Sequence, residues 1–152
     1  MRILKEITRV SERAKQYFID TNIFLRALIN DDEEKYDDVI TFFEGVKNNK
    51  FKVYTSGLVL AEIVWTLLSF YKLQKKEVVK SLESIINLNG LLFIENQNSA
   101  RALDLFKDYN VKYIDCLICS GLQDNKKSWT VVSYDADFDK LGFRRIEPRG
   151  LI

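Results

Sequence analysis

Short apolar runs and helix-spaced repeats alternate along this chain from Tyr17 onward. "YFI" reads as a first strand and "NIFLRALIN" as a short helix. "DEEKYDDVITFFEGVKN" repeats its apolar residues at helical spacing, with acids crowding its first half. "FKVYTS" is a second strand, and "GLVLAEIVWTLLSFY" a largely buried helix. "KKEVVKSLESIINL" is amphipathic, with Val78, Leu82, Ile85 and Ile86 on one face. "LLFI" is a third strand, and "SARALDLFKDY" a helix with Ser99 as N-cap. "IDCLICSGLQDN" is a helix opened by Asp115, "WTVVSY" a fourth strand and "FRRIEP" a weak fifth. Parallel strands are expected near 17–20, 51–55, 91–94 and 129–133. Such alternation implies an α/β fold whose parallel sheet is covered on both faces. Ligands of such sheets bind in the crevice beyond the carboxyl ends of the strands.

The single proline, Pro148, and only six glycines leave no visible linker or repeat. One domain over residues 1–152 is expected, with residues 1–16 as a helical N-terminal extension.

Acids that interrupt this apolar pattern are the candidate chemistry. Asp20 ends the first strand, Glu62 sits inside "LVLAEIVWTLL", Asp115 heads an apolar helix, and Asp135 follows the fourth strand. Asp137 lies two residues further on, whereas Glu33, Asp37 and Glu77 fall on polar helix faces and read as solvated. Ordinary roles stand beside the functional one: Asp20 or Asp115 as a helix cap, Asp135 as a turn former. Glu62 is harder to dismiss, because a glutamate among leucine, valine and tryptophan needs a partner. Acids converging in one crevice would raise each other's pKa unless a cation neutralised them. A hard ion with oxygen ligands, Mg²⁺ or Mn²⁺, suits a cluster of carboxylates alone.

Composition narrows the chemistry further. Histidine is absent, which removes the commonest general base and excludes Ser-His and Cys-His nucleophile schemes. Cys116 and Cys119 form a C-x-x-C without a second pair to complete a zinc site. They read as two small core residues on one helix face. The net charge of +1 carries no global signature of nucleic-acid binding, so such binding must come from a local patch or through metal ions. No apolar stretch reaches the length of a membrane span, and the first residues lack the core of a signal peptide. A cytoplasmic protein is expected, with no membrane partner.

Four stretches in order, "FIDTNIFLRAL", "SGLVLAEIVWTL", "YIDCLICSGL" and "VVSYDADFDKL", resemble a PIN domain. More narrowly, they resemble the ribonuclease toxins of VapBC toxin–antitoxin pairs. The likeness covers nearly all of Tyr17 to Pro148. It implies a three-layer α/β/α sandwich with a five-stranded parallel sheet, and metal-dependent cleavage of RNA. By motif, the family's conserved acids fall on Asp20, Glu62, Asp115 and Asp135, with Asn22, Ser133 and Asp137 as supporting residues. In this reading Asp20 and Asp115 hold Mg²⁺, directly or through water, while Glu62 and Asp135 complete the cage. Such an ion acidifies water and stabilises charge on phosphoryl oxygens. In-line attack leaves a 3′-hydroxyl and a 5′-phosphate. The resemblance also implies a homodimer and a cognate antitoxin. Cations for the RNA backbone are sought among Arg26, Lys72, Lys75, Lys76, Lys126 and Lys127.

Other readings remain. One is a PIN-fold nuclease of RNA processing that is not paired with an antitoxin. Another is a non-catalytic PIN-like binding module, though all four acids are present. A third is a phosphoacceptor receiver, but "LLFIEN" offers Glu95 where that fold needs an aspartate.

Overall fold

The computed structural model describes residues 15–152. The expected helical extension over residues 1–16 lies outside them except for its last two residues, and Gln16 already belongs to the first strand. Among the described residues, five strands form one wholly parallel sheet: β1 (Gln16–Ile19), β2 (Lys52–Thr55), β3 (Leu91–Phe93), β4 (Trp129–Val132) and β5 (Arg144–Ile146). Their spatial order is β3-β2-β1-β4-β5. All four residues of β4 are buried, which requires packing on both faces of the sheet.

Seven α-helices among the described residues supply that packing: α1 (Thr21–Leu28), α2 (Glu33–Lys47), α3 (Gly57–Ser69), α4 (Lys75–Ile86), α5 (Ser99–Asp108), α6 (Tyr113–Leu122) and α7 (Asp137–Lys140). Two 3₁₀ segments, Gln123–Ser128 and Pro148–Leu151, lead into β4 and end the chain. The core runs from Phe18 and Ile19 through Val53, Ile63, Cys116 and Val131 to Phe138. Both cysteines are free and buried, as small core residues. At Gly90, φ is +87° and a Cβ would meet the Val46 carbonyl oxygen at 2.3 Å, so only glycine makes this turn into β3.

From β1 the chain steps outward to β2 and β3, then returns to the other side of β1 with β4. The order therefore reverses between β1 and β4, where such sheets open a crevice at their carboxyl ends. Ile19 and Val132, the last residues of those strands, lie side by side.

Four expectations need correction. Helix α3 is not largely buried: Val59, Ile63 and Leu67 are, but Trp65 is 72% exposed and Phe70 75%. A helix on the outside of a sheet buries one stripe, and Trp65 points about 200° away from Ile63. Ile86 likewise leaves the buried face of α4 and is exposed. Asn98, not Ser99, caps α5, its side chain accepting from the Arg101 N–H. Helix α6 begins at Tyr113 rather than at Asp115, with Lys112 in the cap position. No helix of the described residues is long and apolar enough to cross a membrane.

Candidate active site

Asp20 emerges directly from the buried end of β1, and its backbone N–H still bonds the Val132 carbonyl at 3.1 Å. It stands at the N-cap of α1, yet its side chain makes no capping bond. Instead one carboxylate oxygen, Oδ2, accepts from the Ser133 hydroxyl at 2.6 Å and from the Asn22 amide at 2.9 Å. Asn22 also donates to Ser133 Oγ, while its own carbonyl oxygen accepts from the Tyr134 N–H. The turns after β1 and β4 are thus tied across the switch point. Glu62 is half-buried on α3 and accepts from the Thr21 hydroxyl at 2.7 Å, which is the partner its setting demanded.

Asp115 is the third residue of α6, where the helix dipole favours an acid. It is only 3% exposed, and its Oδ2 is buried without any partner. Asp135 follows β4 by three positions; its Oδ1 accepts from the Asp137 N–H at 3.0 Å, so it does form a turn. Its Oδ2 pairs with the Lys112 ammonium. Among the described residues, Asp115, Asp135 and Asp137 each offer a carboxylate oxygen within 4.8 Å of the others. Asp20 and Glu62 stand outside this trio but close enough to act on it through charge.

The electrostatics are those of a site short of positive charge. Burial, then the nearby charge of Asp20, pushes the Asp115 carboxyl up to about 8. Burial pushes Asp20 up to about 6, against the lowering effect of the Ser133 hydroxyl. At Asp135 burial is the largest single effect and raises the pKa, but the bond from Lys112, the Asp137 N–H and the charges of Lys112 and Lys140 together outweigh it, and the net shift is downward. A buried carboxylate oxygen without a donor, in a set of hard oxygen ligands, fits a divalent cation. The acids expected from sequence do gather at the carboxyl ends of β1 and β4. The tightest group, however, contains Asp137 and omits Asp20.

Lys112 and Thr21 join the site without a local signal in the sequence. A lysine in "VKYID" reads as solvated, and nothing local ties Thr21 to a glutamate on another helix. Of the expected phosphate-binding cations, Arg26 pairs with Asp31, and Lys126 donates to the Leu141 carbonyl while lying over the Phe143 ring.

A model of the PIN domain family matches residues 17–144. A VapC ribonuclease of Aquifex aeolicus (strain VF5) is 29% identical over 132 residues, covering 86% of this chain and 95% of the relative. VapBC2 from Rickettsia felis, solved bound to a fragment of promoter DNA, superposes with a TM-score of 0.63 at 20% identity; the match covers 87% of this chain and 98% of that one. Mycobacterium tuberculosis VapC20, described as a sarcin-ricin loop cleaving toxin, gives the same TM-score at 18% identity, with coverage of 87% and 99%. These two structural likenesses speak for the fold alone.

Proposed function

The chain belongs to the PIN domain family, and on that premise we propose that it is a metal-dependent endoribonuclease, the toxin of a VapBC-type toxin–antitoxin pair. The observation that carries the chemistry is Asp115, whose buried Oδ2 has no hydrogen-bond partner and whose carboxylate groups with those of Asp135 and Asp137 at the strand ends. Asp115, Asp135 and Asp137, with Asp20 alongside, would hold Mg²⁺ or Mn²⁺. When bound, the ion supplies a water of lowered pKa and neutralises charge on the phosphoryl oxygens. The chain's own groups do the positioning. Ser133 and Asn22 fix one oxygen of Asp20. Thr21 fixes Glu62, whose half-buried carboxylate would orient the attacking water. No histidine offers a metal-free route through the 2′-hydroxyl.

We propose an antitoxin partner on the VapC relative and on the exposed apolar side chains of α3 and α5, and a cytoplasmic location beside the RNA substrate. The test is cleavage of a fluorogenic RNA at fixed ionic strength with Mg²⁺, Mn²⁺ or EDTA. Cleavage dependent on the divalent ion, leaving 5′-phosphate ends, is expected. Cleavage that persists in EDTA, or 2′,3′-cyclic phosphate ends, would overturn the metal mechanism. Complete inactivity on RNA would leave the binding-module reading standing.

A further inference from the structure

Lys112 is the site residue that local structure argues against. It occupies the N-cap of α6, where Ser, Thr, Asp or Asn is preferred and where the helix dipole repels a cation. Its side chain caps nothing. It reaches instead to Asp135, 23 residues away, and takes Oδ2, because Oδ1 is already held by the Asp137 N–H. The Lys112 side chain is 62% exposed, so the ammonium can leave by rotating a flexible stem. Its backbone stays put, since its carbonyl accepts from the Asp115 and Cys116 N–H groups. The neighbouring pair of Lys140 with Asp137 is different: both belong to α7, three residues apart, an ordinary helix-surface pairing.

We propose that Lys112 is a resident counter-cation, which a divalent ion displaces from Asp135 and whose freed ammonium then pairs with the RNA phosphate beside the cut. The proposal rests on the metal-nuclease reading. With Oδ1 held by the Asp137 N–H, a divalent ion that takes Oδ2 would repel the ammonium already on it, so the two compete for that oxygen. Once displaced, the ammonium sits on a largely exposed side chain beside Asp135, within reach of a phosphate brought to that acid. Lysine is a competent point-charge ligand for phosphate. A lysine at this cap thus keeps the empty acid cluster from repelling itself apart and later serves the substrate.

The test combines ¹⁵N NMR of lysine ammonium groups with calorimetry of Mg²⁺ binding. The Lys112 signal is assigned by its loss in Lys112→Arg. Saturating Mg²⁺ should move it from a hydrogen-bonded to a solvated position. Lys112→Met should bind Mg²⁺ about tenfold more tightly. With a short fluorogenic RNA, the same variant should raise KM about tenfold at low salt, keep kcat within about threefold, and flatten the salt dependence by about one phosphate contact. Absence of Mg²⁺ binding in the wild-type protein would sink both the metal reading and this proposal. Normal Mg²⁺ binding with an unmoved Lys112 signal would overturn this proposal alone and make the pair a structural bridge. Unchanged KM and salt dependence would refute the phosphate role. The wild-type NMR shift tests displacement even if Lys112→Met folds poorly.

Discussion

Asp115 sits where its own charge is penalised. Its carboxyl is pushed up to about 8 and that of Asp20 to about 6, from an ordinary 3.8. The folded chain therefore holds protons that the unfolded chain has released, from about pH 4 to about pH 8. The stability tied to these two groups is complete below pH ~4 and is lost as pH rises through their folded values. Asp135, shifted downward, acts in the opposite sense, and its contribution fades only as the solution becomes acidic enough to protonate it. In EDTA, the melting temperature should fall from about pH 5 to pH 9. Asp115→Asn should flatten that profile and gain on the order of 1–3 kcal/mol at the alkaline end, while cleavage is lost. An acid that served only the helix dipole would do the reverse, since removing it costs about 0.3–1 kcal/mol. Lower alkaline stability with retained cleavage would therefore make Asp115 architecture. The acids were legible in sequence because each breaks an apolar context. Lys112 and Thr21 were not, because their meaning lies in contacts made across the fold.

At the scale of the element, the pattern of apolar residues placed every strand to within a residue or two, because buried parallel strands read as short unbroken apolar runs. Ends of helices were less legible. Asn98 and Ser99 are both good cap residues by type, and only the backbone decides between them. Asn98 is extended and its side chain accepts from the Arg101 N–H, whereas Ser99 is already helical. Replacing Asn98 by Ala should cost about 1 kcal/mol in chemical denaturation, and Ser99→Ala should stay within about 0.5 kcal/mol. Equal costs would show that the cap is shared. The apolar pattern of α3 misleads for a different reason. Apolar residues lie nearly all round it, and periodicity cannot separate a stripe facing the core from one facing a partner.

On the whole molecule, the apolar residues that the core does not use are grouped on the outer helices. Trp65 and Leu68 stand one turn apart on α3. Leu103 and Phe106 do the same on α5, followed by Tyr109 and Tyr113; the rings of Phe106 and Tyr113 meet edge-on at 5.5 Å. Only Ala102 of α5 is buried, so this helix offers more apolar surface outward than inward. Grouped exposure of this kind marks an interaction face. A net charge of +1 puts little repulsion between copies. A two-fold dimer, in which the same patch serves both subunits, needs about 800 Å² per partner, and the exposed apolar side chains of α3 and α5 are the candidates to form it. Sedimentation should therefore find a dimer at micromolar concentration. Phe106→Lys should give a folded monomer whose melting temperature at low concentration is unchanged, because the side chain is already 47% exposed. Ile63→Lys, at a fully buried position, should unfold the chain instead. A dimer that survives Phe106→Lys but not Trp65→Lys would place the contact on α3 alone. A wild-type chain that stays monomeric at about 100 µM would refute the dimer, and leave both faces to the antitoxin.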